Sequence, residues 1–193
     1  MAEEEEEVVI EHTWDGHKTN DHIPFGEGTM IYPTGDKYVG NLDFDGTRKG
    51  KGVYTFANGA SYDGEYLKNL KEGNGKFTYP DQSVYEGGWK EDLRSGQGTY
   101  TFPNGDTYKG GWEADKKHGD GEYQFKEAGS KFSGTWAEGS ITEGLWTMKD
   151  GSSFKGTFAE GKPAEGAFTF IKTGNVLTGK FVEAGHFDGA PPA

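Results

Sequence analysis

The residues whose types and spacing could do chemistry are few. Five Gly-x-Gly pairs resemble loops whose backbone N–H groups cradle a phosphate. These pairs are Gly26/Gly28, Gly50/Gly52, Gly73/Gly75, Gly96/Gly98 and Gly119/Gly121. None is followed by Lys-Ser/Thr at P-loop spacing or by a predicted helix. We therefore interpret the pairs as punctuation of a repeat.

Three histidines near the start could suggest a metal site. His12, His17 and His22 lie at intervals of five residues, whereas ligands stand four apart on a helix and two apart on a strand. We favour a solvated segment and predict no metal. The chain has no cysteine, which excludes thiolate chemistry and disulfides and is typical of a reducing compartment. No Ser/His/Asp set is visible either, so we predict a protein that is not an enzyme and has no cofactor.

Aromatic residues are the more informative set, at 15% of the chain. Because a single sheet cannot bury both of its faces, we predict that some rings stay exposed and form a groove that binds a partner protein. The candidate groove residues are Tyr62, Tyr66, Tyr85, Trp89, Tyr108, Trp112 and Trp136. The alternative, that this stripe is only core, stays open.

The elements that must position these rings repeat about every 23 residues. In each unit a glycine-led strand with alternating aromatic residues precedes a turn and a second aromatic-glycine strand. In the second unit Asn58-Gly59 is the turn signal between Tyr54 and Tyr62. The units begin at Gly28, Gly52, Gly75, Gly98, Gly121, Gly144 and Gly166. The pattern predicts an all-β fold, an elongated single-sheet solenoid of stacked β-hairpins with about seven repeats plus partial capping units.

Details of the repeat give further expectations. The return-strand glycines, such as Gly64 and Gly110, should leave room for an aromatic ring to lie flat on the backbone. The turns around Ala128-Gly129 and Thr173-Gly174 carry one extra residue and should be longer. Asp81-Gln82 has no glycine, so its turn should differ.

Three segments follow from the pattern. Residues 1–13 are acidic, with glutamates from Glu3 to Glu7, and we expect them to be disordered. Residues 14–185 form the repeat array. Residues 186–193 begin another unit, stop at Pro191-Pro192 and are expected to be a cap or tail.

Charge limits the partners. The formal net charge is −12 and the pI about 4.8, so we predict no nucleic-acid partner and argue against a membrane surface. Without a long apolar run, a soluble intracellular protein is expected. The charged segments between repeats are a solvated edge or, alternatively, a line of contacts to a periodic partner. They include Arg48-Lys49, Lys71-Glu72, Arg94 and Asp115-Lys116-Lys117-His118.

The repeat resembles the MORN family, named for "membrane occupation and recognition nexus". The matching segments are Tyr85-Glu86-Gly87-Gly88-Trp89 and Gly96-Gln97-Gly98-Thr99-Tyr100-Thr101-Phe102-Pro103-Asn104-Gly105. The resemblance covers roughly residues 14–185. Within that family, the acidic start and the segments 59–66 and 129–136 are similar to the subunits of the radial spoke head of motile cilia and flagella.

The resemblance implies a non-catalytic scaffold in the cytoplasm and cytoskeleton, at the axoneme of a cilium or flagellum. Its partners would be other axonemal proteins, and such proteins commonly form homodimers. A MORN scaffold of the central apparatus would have almost the same sequence pattern. Further alternatives are an adaptor that tethers anionic membranes through the repeats and a targeting domain for an enzyme.

Overall fold

Antiparallel strands account for all regular structure in the residues that the structure, a computed structural model, describes: 12–182 and 186–191. The strands group into two compact units, Met1–Pro80 and Asp81–Ala193, which we describe one at a time. The predicted all-β fold of consecutive MORN-type hairpins is confirmed. Of the predicted acidic segment 1–13, residues 1–11 lie outside the described residues.

In its described residues, 12–80, the first unit has seven strands. They are β1 (Thr13–Trp14), β2 (His17–Lys18), β3 (Pro24–Ile31), β4 (Lys37–Leu42), β5 (Arg48–Thr55), β6 (Ser61–Leu67) and β7 (Leu70–Thr78). From β3 onward each strand pairs antiparallel with the next, while β1 and β2 both pair with β3. Trp14 in β1 is buried, as expected of a partial unit at the start of the array.

The second unit has ten strands within residues 81–182 and 186–191, again paired in sequence order. They are β8 (Val84–Lys90), β9 (Leu93–Thr101), β10 (Thr107–Glu113), β11 (Lys116–Phe125), β12 (Ser130–Ala137), β13 (Ser140–Thr147), β14 (Ser153–Ala159), β15 (Lys162–Thr169), β16 (Val176–Val182) and β17 (His186–Ala190). The last strand lies in the predicted cap, 186–193, and pairs with β16.

The strand register places glycine opposite glycine. Gly52 lies opposite both Gly40 and Gly64, and Gly110 lies opposite both Gly98 and Gly121. Two residues away, aromatic residues face each other in the same way, as with Tyr54 and Tyr62. Because side chains alternate along a strand, the glycine row and the aromatic row lie on one face of each unit's sheet.

Tyrosine side chains pack directly against the backbone of glycine residues. A Cβ added at Gly52 would lie 2.5 Å from Cε2 of Tyr38, and one at Gly110 would lie 2.8 Å from the Tyr108 hydroxyl. The expectation that a ring lies against the return-strand glycine is confirmed at Gly40 and Gly64. At Gly87 and Gly110 the closest atoms are backbone, and only the tyrosine hydroxyl is near. At Gly134, Gly156 and Gly179 a Cβ would instead meet the backbone of the neighbouring strand.

The turns agree with the expectations from the sequence, except for the Asp81-Gln82 turn. In Phe56–Ala60 the Gly59 amide donates to the Phe56 carbonyl at 2.9 Å, whereas the longer turn has its bond from Gly129 to Phe125, also 2.9 Å. The longer turns are thus confirmed. The Asp81-Gln82 turn was expected to differ from the turns that contain glycine. This expectation is wrong for the backbone, because Gln82 adopts a positive φ of 68°, as the glycines of the other turns do.

Candidate functional site

The seven predicted groove residues are core residues in this structure. Tyr62, Tyr85 and Tyr108 have no exposed surface, and Trp89 and Trp112 are 6% exposed. Tyr66 and Trp136 are buried as well, at 5%. These side chains offer a partner almost no contact area, so their role in partner binding stays a prediction.

Tyr108 shows how a ring of one sheet becomes fully buried. Its ring lies against Gly121, and its hydroxyl, which is close to Gly110, donates to the Gly111 carbonyl at 3.0 Å. The indoles of Trp112 and Trp136 pack edge-on against it, with ring centroids 5.3 and 5.0 Å away. Burial raises the pKa of the Tyr108 hydroxyl to about 12. The same tyrosine-to-carbonyl bond recurs at Tyr38, Tyr62 and Tyr85.

Half-buried rings lie mainly on the glycine-led strand of each repeat. In the second unit Tyr100, Phe102, Tyr123 and Phe125 belong to this strand or its end, and Phe132 lies on the return strand β12; we call these five rings the aromatic stripe. Successive centroids along the stripe are 4.6, 5.4, 4.6 and 5.4 Å apart. The first unit has a matching set in Tyr32, Tyr54, Phe56, Phe77 and Tyr79. Exposed aromatic surface is therefore present, on residues that the sequence-based prediction did not select.

Cations from the segments between repeats insert among the rings. They are Arg48, Lys71, Arg94 and Lys117, spaced at 23 residues. Arg94 places its guanidinium carbon 4.5 Å from the Trp112 ring centroid, and Lys117 places Nζ 4.6 Å from that of Trp136. We interpreted these segments from the sequence as a solvated edge or as a line of contacts to a partner, and neither interpretation predicted that the cations pack against the rings. The recurrence of one cation per repeat was the available signal.

Arg94 and Lys117, which are partly buried, differ in how their positive charges are stabilised. Burial lowers the pKa of the Lys117 ammonium, and the nearby positive charge of Arg94 lowers it further. Arg94 is neutralised by Asp115, whose Oδ1 accepts from Nε at 2.8 Å. Four rings surround Lys117, and their negative faces stabilise the cation.

Acidic turn residues connect consecutive repeats. Asp106 accepts from the Lys126 amide at 2.8 Å, the Tyr123 hydroxyl at 3.1 Å and the Asn104 amide group at 3.0 Å. Partial burial would raise the pKa of this carboxyl, but the three donors outweigh it and the pKa is lowered. Asp36 binds Ala57 and Tyr54 of the next repeat in the same way.

The chemistry-bearing candidates are not brought together into a catalytic set. No group of three or more His, Asp or Glu that could hold a metal occurs within residues 12–182 and 186–191. The first glycine of each Gly-x-Gly pair has positive φ, for example 62° at Gly50 and 74° at Gly96, which is a strand irregularity rather than a loop entering a helix. In the described part of the chain no helix is long and apolar enough to cross a bilayer.

Comparison with known families assigns the repeat. The MORN repeat family matches residues 20–37, 44–61, 62–84, 85–107 and 108–127. This chain belongs to the MORN repeat family. The hairpins of strands β12–β16 continue the pattern beyond the last matched MORN segment. The comparison with curated proteins found no match.

Two solved structures similar to this MORN protein have low sequence identity to it. The G-box domain of the microcephaly protein CPAP, described with a suggested role in centriole elongation, is 10% identical with a TM-score of 0.52, covering 94% of this chain and 99% of its own. The TCP domain of SAS-4 (dCPAP) from Drosophila melanogaster, solved with a proline-rich motif of Ana2 (dSTIL), is 14% identical with a TM-score of 0.47, covering 100% and 97%. The likeness to the CPAP domain is one of fold alone.

Proposed function

We propose that this MORN protein is a non-catalytic scaffold that binds neighbouring proteins through the aromatic stripe. The observation that carries the proposal is the continuous row of half-exposed rings, since contiguous apolar surface on a soluble protein marks an interaction site. Tyrosine and phenylalanine are also the side chains that dominate binding energy when a partner covers them. The seven buried residues that the sequence predicted as a groove would pack beneath this surface and hold it in place.

The site of assembly that we propose is the axoneme of a cilium or flagellum, in the radial spoke head. The support for this placement is the resemblance of the acidic start and of segments 59–66 and 129–136 to spoke-head members of the family. The partners would be other axonemal proteins, with a second copy of the chain among the candidates. The scaffold would set the distance between neighbours through its stacked hairpins.

A pull-down from motile axonemes tests both parts. The tagged wild-type chain is compared with Phe102→Ser and Phe125→Ser, two changes within the aromatic stripe. Leu145→Ser is the matched control, because Leu145 is 37% exposed and alternates to the opposite face from Trp146. Circular dichroism and thermal unfolding establish that each variant is folded.

Recovery of spoke-head subunits by the wild type and the control, with loss in the stripe variants, would support the proposal. Recovery of central-apparatus proteins would overturn the spoke-head placement while leaving the scaffold. Recovery of membrane proteins without axonemal material would favour the membrane-tethering adaptor instead. Equal recovery by all variants would contradict binding through the stripe.

A further inference from the structure

Two turns of this protein carry the same arginine arrangement with one chemical difference. Arg94 donates from its backbone amide and Nε to Asp115 Oδ1, and from Nη2 to the Asp115 carbonyl at 2.9 Å. Arg48 makes the corresponding bonds to Asn69, with its amide to Oδ1 at 2.8 Å and Nη2 to the carbonyl at 2.9 Å. The backbone also matches, since Asn69 and Asp115 have φ of 72° and 69°.

The difference leaves one guanidinium without a counter-charge. Asp115 neutralises Arg94, whereas the amide of Asn69 satisfies hydrogen bonds of Arg48 but carries no charge. Within residues 12–182 and 186–191, the ion pairs found involve other cations, and no carboxylate pairs with Arg48. Arg48 packs on the Tyr54 and Tyr66 rings, 5.1 and 4.9 Å from their centroids, which offsets part of its desolvation.

Arg48 lines a cavity in the first unit. The cavity has a volume of about 390 Å³, and its walls include Pro24, Met30, Tyr32 and Asn69. His12 also borders the cavity. Apolar walls beside a single uncompensated cation form a pocket with one charged end and one apolar body.

We propose that this cavity binds a carboxylate that a partner protein carries next to an apolar side chain. Nε and Nη2 of Arg48 already donate to Asn69, so a carboxylate would accept a charge-assisted hydrogen bond from Nη1. The apolar side chain would pack against Met30, Pro24 and Tyr32. The inference goes beyond the scaffold role and does not depend on the axonemal placement.

A small probe with a matched neutral control isolates the charge. N-acetyl-phenylalanine has one carboxylate and one apolar side chain, and N-acetyl-phenylalaninamide differs only in lacking the charge. Each is titrated into the ¹⁵N-labelled full chain, and amide shifts are followed for Gly46 and for the Asn69 side chain, both at the cavity. Saturable shifts with the acid and about tenfold weaker binding of the amide are expected.

Asn69→Asp is the decisive variant because it supplies Arg48 with the counter-charge that Arg94 already has. Aspartate adopts the required positive φ at the equivalent turn, so this variant should fold. Its affinity for the acid should fall about tenfold or more, while Asp115→Asn in the second unit should leave that affinity unchanged. Equal binding of acid and amide, or unchanged binding by Asn69→Asp, would overturn the proposal.

A further comparison tests whether the bound carboxylate comes from a partner or from the protein's own acidic run. A variant with Glu3 to Glu7 all changed to Gln keeps the cavity residues and removes the five carboxylates of that run. An unchanged affinity for the acid would support a partner as the carboxylate source. A several-fold tighter affinity would assign the site to the chain's own run and overturn the assignment to a partner. Axonemal pull-down with Asn69→Asp reports separately on the scaffold proposal, which rests on the aromatic stripe.

Discussion

At the scale of single residues, glycine decides whether the aromatic core forms. Gly110 has ordinary strand geometry, so it is required for lack of a side chain rather than for its φ. A Cβ there would lie 2.5 Å from the Gly121 Cα and 2.6 Å from the Asp120 carbonyl oxygen. Gly110→Ala should therefore lower the free energy of unfolding by about 3 kcal/mol, measured by urea denaturation, because the strands must separate to admit the methyl group.

A second glycine gives the control for that experiment. Gly96 has positive φ and no atom within 4 Å of an added Cβ. Asparagine tolerates this conformation, so Gly96→Asn should change the free energy of unfolding by only about 0.5 kcal/mol. A similar loss in the two variants would mean that glycine's flexibility, not the space above Gly110, controls stability.

Asp106 makes stability depend on pH. Its pKa is lowered because hydrogen bonds from Lys126, Asn104 and Tyr123 outweigh the opposing effect of burial. A lowered folded pKa means that the stabilisation is present above the ordinary carboxyl value of about 4 and is lost as pH falls through the folded value. The melting temperature of the wild type should exceed that of Asp106→Asn most at pH 7, with the gap shrinking in acid.

Thermal scans from pH 7 to about pH 3 measure that gap. Tyr123→Phe serves as an intermediate case, because it removes one of the three donors while leaving the carboxylate. Its melting temperature should fall between those of the wild type and Asp106→Asn at neutral pH. A gap that stays constant across the pH range would contradict the role of the ionised carboxylate.

At the scale of elements, the turns between repeats have an unusual backbone for their residues. Ala114 and Asp115 join β10 to β11 with φ of 45° and 69°. The left-handed conformation costs an ordinary residue about 1–2 kcal/mol, and glycine avoids this cost at some expense in unfolded-state entropy. Ala114→Gly should therefore raise the free energy of unfolding by about 0.5–1 kcal/mol, as measured by urea denaturation.

Ala128→Gly is the matched control in a turn of the same unit. Ala128 does not have positive φ, so the change should lower the free energy of unfolding by about 0.5–1 kcal/mol through the added freedom of the unfolded chain. Opposite signs for the two alanines would tie the effect to backbone conformation. Stabilisation at both sites would show that some other property of glycine is responsible.

The elements were more predictable than the surface they form. The period-two aromatic pattern and the Asn-Gly turns are local signals, so the hairpins followed from the sequence. Which aromatic row is buried depends on cross-strand packing: Tyr108 is covered by Trp136 from the next repeat, while Tyr123 stays half-exposed. Arg94 looked solvated because its contacts lie across strands. Gln82 was misjudged because its turn imposes the positive φ.

At the scale of the whole molecule, the distribution of charge is more informative than its sum. The net charge is −12, and many cations are engaged within the protein. Arg48, Arg94 and Lys117 pack on rings. Ion pairs to carboxylates hold Lys49, Lys116, Lys131 and Lys180. These seven of the 20 Lys and Arg residues are held within the protein, and the 32 Asp and Glu residues outnumber the others, so the surface repels an anionic membrane.

This charge distribution predicts that the protein does not bind anionic vesicles. Co-sedimentation at about 0.15 M salt, where screening acts beyond roughly 8 Å, should recover no more protein with phosphatidylserine vesicles than with neutral ones. Lowering the salt should not create binding, because the long-range interaction is repulsive. Salt-sensitive binding to the anionic vesicles alone would mean that the packed cations become available at a membrane, and the tethering adaptor would then displace the scaffold as the better account of the repeats.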